Sequence, residues 1–592
     1  MSSPVPFCLG GPIRWRPDRS SLPGLAAIGT ILVAVALPLR GLYRATGASM
    51  EEGFMLVFPT LVQRGKVANV DFLHLYGPAS LDALALWFRV FGDTIESERT
   101  FGLLQHLAVV FGVYALARVA GHVAAVMAAL LAVVLILTPI GLSALAWHGG
   151  LGLGLWAVVF LVRAGATGQQ RDWWAAGGLA GLALGFRPDL VLALGLAAGW
   201  ALWPRRAAGD DVRRPTTFAL GVAVGLLPVW AHLVRAGPVA AVEGMVLDPV
   251  FRLRPGRELP RPPSWDRIDG ALQAVAESAP PWWRLPALAA EQQLFVWFFA
   301  VIVIAVAVPG AVVLVRRRQE PTRGHPLDAL AVGGLFGLGI LPLALQRPDS
   351  THLAWVAVVS WPIALALAAL LLQRRWPAGF AGWRGGFAAG VLAAVVLLVV
   401  CPFFTFRTYL LHSRVAVGSL PVPYEIARGG HRFWVGDPAV ASAMAQMIPE
   451  LEARMQPGDR LFVGPGDLRR TVYADTYVYW LFDELEPATY FIEMDPGLAD
   501  RAGSGMADDI RSADFVVLTN TWSGWLEPNA SSDLGSPEHN RAVADHFCLV
   551  GSYETNLVLL FERCAGGGGF DPSTVAGRAA GIGQGGVERA EP

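Results

Sequence analysis

Charge is scarce in this chain. Only 16% of its 592 residues are Asp, Glu, Lys or Arg, while 54% are hydrophobic and the mean hydropathy is +0.47. That balance excludes a soluble protein of this length and points to a polytopic membrane protein. Lysine is almost absent: Lys66 is the only one, and Arg carries nearly all the positive charge, a bias of GC-rich coding that says little about mechanism. Acids and bases almost cancel, leaving a net charge of −1, so the overall balance offers nothing to a nucleic acid. Cysteine is rare too. Cys8, Cys401, Cys548 and Cys564 are too few for a disulfide scaffold and lack metal-site spacing. No internal repeat is visible, which argues against transporter architectures built by duplication.

Long apolar runs fill the first two thirds. Arg14, Arg16 and Arg19 precede the run Leu22 to Leu39, read as a retained first span with a cytoplasmic N-terminus (1–21). Ten more candidate spans follow: Thr100 to Ala117, Gly121 to Thr138, Trp147 to Val162, Trp173 to Phe186, Leu190 to Trp203, Thr216 to Val234, Leu294 to Val315, Leu327 to Leu345, Leu353 to Leu372 and Phe387 to Phe404. Ala79 to Phe91 is the ambiguous case, short and interrupted by Asp82 and Arg89. If it does not cross, the Arg-rich loops Arg163 to Arg171, Arg205 to Arg214, Arg316 to Arg323 and Arg374 to Arg384 all share the N-terminal side; if it crosses, the positive-inside bias is inverted. It is therefore expected to be an interfacial helix on the outer surface.

The same parity gathers the polar motifs on one side. Glu51, Glu52, Asp71 and His74 fall outside, as do Arg187-Pro188-Asp189, the long loop 236–290 and Gln346-Arg347-Pro348-Asp349-Ser350-Thr351-His352. Two adjacent acids beside a low-dielectric wall raise one another's pKa, which suits a general base. Arg187, Arg347 and His352 suit a phosphate, the arginines through a planar fork that keeps its charge. Each has a plainer reading: the acids favour a helix N-terminus, Asp71 a turn, and Arg187 with Asp189, or Arg347 with Asp349, a local ion pair.

After Phe404 the composition becomes ordinary. A helix over Pro438 to Met455, strands at Asp459 to Val463 and Ala513 to Leu518, and a closing hairpin predict an extracytoplasmic α/β domain over 405–564, with a disordered tail over 565–592. The hairpin Leu549 to Arg563 brings Cys548 and Cys564 together, so a disulfide is expected there. Glu493-Met494-Asp495-Pro496-Gly497 and Asp508-Asp509 are expected to be solvated loops, and Gly464-Pro465-Gly466 is not a phosphate loop.

The stretch Glu51 to Pro78 resembles the first external loop (here 43–99) of the GT-C superfamily of membrane glycosyltransferases, in particular its protein-mannosyltransferase and aminoarabinose-transferase branch. Those proteins show an Asp-Glu pair after the first span, then Gly-x-x-Pro-Tyr-x-Asp-Phe, Tyr-Gly-Pro and a jaw helix ending in Phe-Gly before an Arg. The counterparts are Glu51-Glu52, Gly65 with Asn69-Val70-Asp71-Phe72, Tyr76-Gly77-Pro78, and Phe91-Gly92 with Arg99. It departs in having Glu51 for the Asp and Asn69-Val70 for the Pro-Tyr. The C-terminal segment around Pro487 to Gly497 resembles the tails of actinobacterial membrane proteins.

The resemblance implies a GT-C-like transmembrane domain over 22–404 with external jaw helices, in a multi-pass plasma-membrane protein. It implies transfer of a sugar from a polyprenyl-phosphate donor to a glycan or protein acceptor of the cell envelope, with Glu51 or Glu52 as base and Asp71 orienting the acceptor or sharing a divalent cation. Arg187, Arg347 and His352 would grip phosphate, supported by His74, Tyr76, Asp189 and Asp349. Two other classes fit the composition: a flippase of lipid-linked glycans, with charges at the membrane midplane, and a non-catalytic envelope assembly protein, with its acids and arginines scattered.

Overall fold

The computed structural model describes residues 22–137, 140–203, 213–263, 290–318, 324–401, 404–418, 423–471, 473–523 and 529–575. The N-terminal segment 1–21, much of the long loop and of two Arg-rich loops, and the tail beyond 575 lie outside them. Among the described residues, seven helices are long and apolar enough to cross a membrane: Leu22–Leu42 (α1), Ile95–Ala120, Ala146–Thr167, Gln292–Arg317, Pro326–Gln346, Thr351–Arg375 and Trp383–Val400. Arg213–Gly225 and Leu227–Ala236, bent by 46°, make an eighth if they count as one span. Among the described residues, each of the eleven expected spans is mainly helical. His122–Leu137, Gln170–Phe186 and Val191–Leu202 are short, however, so length and composition alone do not reach eleven crossings.

Between the first two spans lie two shorter helices, α2 (Glu51–Gln63) and α3 (Pro78–Phe91). Pro78 at the first helical position and an extended Gly77 start α3. Its buried face is Leu81, Leu84, Ala85 and Phe88, while Leu86, Val90 and Phe91 are exposed. At 14 residues it is too short to cross a bilayer, and it has two apolar faces, one for the protein and one for lipid. Arg235 closes on Asp82 at 3.0 Å, pairing one of the two charges that interrupt the helix in sequence.

Close helix contact is built on glycine. Gly177 and Gly181 on the helix Gln170–Phe186 face Gly221 and Gly225 on Arg213–Gly225, where an added Cβ would lie 2.1 to 2.6 Å from backbone oxygens of the opposite helix. Two facing Gly-x-x-x-Gly rows are the device by which helices approach in lipid, where apolar burial drives nothing. Gly77 plays the same part at the site: a Cβ there would sit 2.0 Å from Gly185 O, and its N–H donates to Phe186 O at 3.0 Å. This clamps Tyr76 beside Arg187.

The C-terminal part carries a small hairpin, β1 (Tyr424–Arg428) with β2 (His431–Val435), and a mixed five-stranded sheet. The sheet order is β4-β3-β5-β7-β6, with β3 (Arg460–Pro465) parallel to β4 (Glu486–Pro487) and β5 (Phe515–Thr519), and β5, β7 (Val558–Arg563) and β6 (Phe547–Tyr553) antiparallel in turn. Strand β5 is buried along its whole length, as expected of a central strand. Cys548 and Cys564 form the disulfide, with Cα atoms 5.8 Å apart.

Two boundaries shift. The helix Phe404–Ala416 lies along α1, with Tyr409 Oη donating to Ala34 O at 2.5 Å, so the sheet-bearing part begins at β1 rather than at residue 405. Residues 565–575, read as the start of a disordered tail, fold back on the sheet instead. Gly568 and Gly569 N–H groups donate to Phe547 O and Ala544 O, and the Phe570 ring packs at a tilt against Phe561. Glycine content concealed an ordered return made possible by positive φ at Gly566, Gly567 and Gly569.

The C-terminal domain is docked on the loop 43–99 between the first two spans. Gly47 N–H donates to Trp434 O, Thr476 Oγ1 to Ser49 O and Met50 O, Trp480 Nε1 to Asp93 O, and Leu73 N–H to Tyr490 O. Gly53 has no room for a side chain against Thr476 and Tyr477. The start of α2 is thereby held between the membrane helices and the sheet domain.

Candidate active site

A cavity of about 700 Å³ opens where these parts meet. Its wall includes Glu51 and Glu52 from α2, Arg187 and Asp189, Arg347, Asp349 and His352, and, from the C-terminal domain, Tyr473, Asp475 and Glu493.

The acid pair divides. Glu52 is buried, and Arg99 grips it through two parallel bonds, Nε to Oε1 at 2.6 Å and Nη2 to Oε2 at 2.8 Å. The rest of the same guanidinium donates to the carbonyls of Leu42, Tyr43 and Ala45, stitching the exit of α1 to the start of α2. Glu52 is fully engaged in this anchor. Glu51, one residue away and half-buried, faces the cavity and accepts a hydrogen bond from Tyr473 Oη. Burial raises its carboxyl above the ordinary carboxylate range, and the Tyr473 bond and the charges of Arg257 and Arg347 oppose that rise.

Arg187 is forked onto Asp189 at 2.9 and 2.6 Å, and its guanidinium carbon stands 4.7 Å from the Tyr76 ring and 5.2 Å from the Trp147 ring. The local pair that the sequence allowed is thus formed, and it still borders the cavity. Asp349 caps the helix Ser350–Arg375 by accepting from His352 N–H at 2.8 Å. Its carboxylate also takes His352 Nδ1–H at 2.8 Å and lies 3.6 Å from Arg347 Nε. Arg347, Asp349 and His352 are one cluster on the cavity wall.

Other sequence candidates lie elsewhere. Asp71 is exposed and outside the cavity, where it accepts from Val67 N–H at 2.6 Å and closes a turn around Asn69, whose φ is 64°. Such a turn offers it no contact with an acceptor in this cavity. His74 is also outside, packed between the rings of Phe58 and Tyr76, and burial pushes it down to about 3, so it stays neutral. Tyr76 lines the cavity and burial raises its hydroxyl to about 12.

Several residues were not foreseen. Arg254 and Arg257 from the long loop line the cavity, and Arg257 Nη1 lies 3.4 Å from Asp495 Oδ1. Glu493 and Asp495, expected in a solvated loop, are 3% and 1% exposed. An apolar cluster of Leu73, Leu75, Leu253 and Leu498, with Tyr490 and Phe491 against it, pulls that turn inward. Met494, between the two acids, sits at φ 54°, a left-handed conformation that costs a residue with a side chain about 1–2 kcal/mol. The local signal was only that this stretch mixes acids with Phe491, Ile492 and Met494, more apolar than a solvated loop needs. Among the described residues, no group of three or more His, Cys, Asp and Glu is placed to hold a metal ion.

The arrangement defines a class: a multi-pass membrane protein whose cavity, largely apolar with charged clusters on its wall, is roofed by a docked sheet domain. Residues 78–234 match the family of dolichyl-phosphate-mannose-protein mannosyltransferases. The structure is similar to that of ArnT from Cupriavidus metallidurans bound to undecaprenyl phosphate, at TM-score 0.51 and 14% identity over 92% of this chain and 99% of that one. It is also aligned with the Archaeoglobus fulgidus oligosaccharyltransferase in complex with zinc and sulfate, at TM-score 0.42 and 11% identity, over 88% of this chain and 71% of that one. No curated protein matches in sequence. The fold is similar to that of ArnT, and the match to the mannosyltransferase family model over 78–234 agrees with the GT-C resemblance read from the neighbouring stretch Glu51 to Pro78.

Proposed function

We propose that this protein is a membrane glycosyltransferase that transfers a sugar from a polyprenyl-phosphate donor to a hydroxyl of a glycan or protein acceptor in the cell envelope. The observation that carries the reading is one cavity uniting Glu51 with Arg187, Arg347 and His352, residues spread over 300 positions of sequence. A non-catalytic assembly protein would leave them scattered. The bias of the Arg-rich loops puts this cavity on the outer face and the N-terminus in the cytoplasm.

Glu51 is the base. Its carboxylate takes the proton of the acceptor hydroxyl as that oxygen attacks the anomeric carbon, and the bond from that carbon to the phosphate oxygen breaks with its electron pair on the leaving polyprenyl phosphate. The guanidinium groups of Arg347 and Arg187, with Arg254 also on the wall, stabilise the charge that gathers there. Tyr473 orients Glu51 through its hydroxyl. His352 and Asp349 hold Arg347 at the wall.

Purified protein given a panel of radiolabelled polyprenyl-phosphate sugars and envelope acceptors should consume one donor. Glu51→Gln should lower turnover by about 10²–10⁴-fold, the range for a general base, while binding of undecaprenyl phosphate persists. Full turnover by that variant would remove Glu51 as the base.

A further inference from the structure

Of the carboxylates on the cavity wall, Glu493 has no task in the reaction above. It is 3% exposed, its Oε1 meets no hydrogen-bond donor, and it forms no ion pair among the described residues. An unpaired buried carboxyl is costly to keep, and such groups call for a partner that completes them. Beside it, Arg257 Nε is likewise buried without an acceptor, and Asp495 Oδ2 without a donor.

The chemistry of this corner is mixed. Two acids turn away a phosphate, and Arg257 turns away a cation. Vicinal sugar hydroxyls, which donate and accept from neighbouring atoms, match two acceptors and one donor set side by side. Burial raises the Glu493 carboxyl well above the ordinary range. Glu493 also feels the charge of Glu51 across the cavity, and Tyr76 feels that of Glu493, so this corner adjoins the base.

We propose that Glu493, backed by Asp495 and Arg257, is a subsite for sugar hydroxyls that the C-terminal domain contributes to the cavity. The inference deepens the transferase reading, and rests on it for the sugar's fate but not for its binding. The sugar belongs either to the lipid-linked donor or to the acceptor.

The test uses full-length protein in lipid nanodiscs. Three ligands are titrated by thermal shift and equilibrium binding: undecaprenyl phosphate, undecaprenyl-phosphate sugars, and envelope glycans. Glu493→Gln and Glu493→Ala should weaken sugar binding by about tenfold or more, as expected for a hydrogen bond to a charged or strongly polar group. Undecaprenyl phosphate binding should stay within twofold. Because the substitution removes an unsatisfied buried acid, the Tm of ligand-free Glu493→Gln should hold or rise. Loss confined to donor sugars assigns the subsite to the donor, and loss confined to glycans to the acceptor. Sugar binding unaffected by either variant overturns the proposal, as does a fall in Tm or an equal loss of undecaprenyl phosphate binding. Wild-type protein that binds sugars through Glu493 but transfers none would sink the transferase reading alone.

Discussion

The two walls of the cavity handle charge differently. On the membrane side most ionic groups come with a counterion: Glu52 with Arg99, Arg187 with Asp189, and Arg347 with Asp349 and His352, while the proposed base Glu51 has only the Tyr473 hydroxyl. On the roof, Glu493 stands alone, and Asp495 and Arg257 meet at the loose distance of 3.4 Å. The difference follows from the surroundings. Helices in lipid cannot keep an unpaired ion, so charge reaches that wall only in neutralised clusters, each bound to a helix end or a turn. The sheet domain is not embedded among apolar helices, so its polar atoms do not face that constraint.

Breaking a pair on the membrane wall should therefore have the largest effect. Arg99→Ala leaves Glu52 buried and uncompensated and strips donors from three carbonyls. It should cost about 3–5 kcal/mol of stability, read as loss of folded protein in detergent or a collapse of Tm. Replacing both partners by Leu and Met of similar volume should cost much less than the single change. Equal losses in the single and double variants would show that the carbonyl bonds, rather than the ion pair, fix α2 to α1.

Next comes Arg347→Ala. It removes a phosphate donor while leaving Asp349 its bond to His352, so the wall should fold. The barrier to transfer should rise by about 3 kcal/mol, by analogy with the loss of one oxyanion donor. That corresponds to a fall in turnover of roughly 150-fold. A loss of stability comparable to that of Arg99→Ala would place Arg347 with the structural pairs instead.

Much of this was legible in the residues. The spans followed from apolar runs, the surface helix α3 from charge bias and a length too short to cross, and the disulfide from a hairpin that brings Cys548 to Cys564. The acid pair, Arg187, Arg347 and His352 were legible as polar turns facing one compartment. The division of labour between Glu51 and Glu52 was not, because it depends on Arg99 reaching back 47 positions. Nor was the inward turn at Glu493. It is set by Leu73 and Leu253, more than 200 positions earlier in the chain, which no local pattern connects to it. Asp71 misled for the opposite reason: its family-like spacing is real, and the structure uses it to close a turn.

The smallest effect, and the sharpest contrast between the walls, should appear in pH dependence. Burial raises Asp500 in the C-terminal domain to about 6, from an ordinary value of 3.8. A folded-state acid with a raised pKa holds its proton more tightly than the unfolded chain does, so folding stability falls as pH rises from about 4 to about 6 and stays lower above it. Asp495 is raised to about 6 as well, with Arg257 opposing the effect of burial. The base runs the other way. Glu51, also raised, must lose its proton to act, so turnover should climb as pH rises through its pKa. Thermal melts and initial rates from pH 4.5 to 8 should cross, with Tm falling while rate increases. Asp500→Asn, which keeps an acceptor for Gly497 N–H, should lessen the fall in Tm across that range, leaving the share due to Asp495, and leave the rate profile in place. If the rate profile moved with it, the roof and the base would share one titration, and the two walls could not be treated as separate.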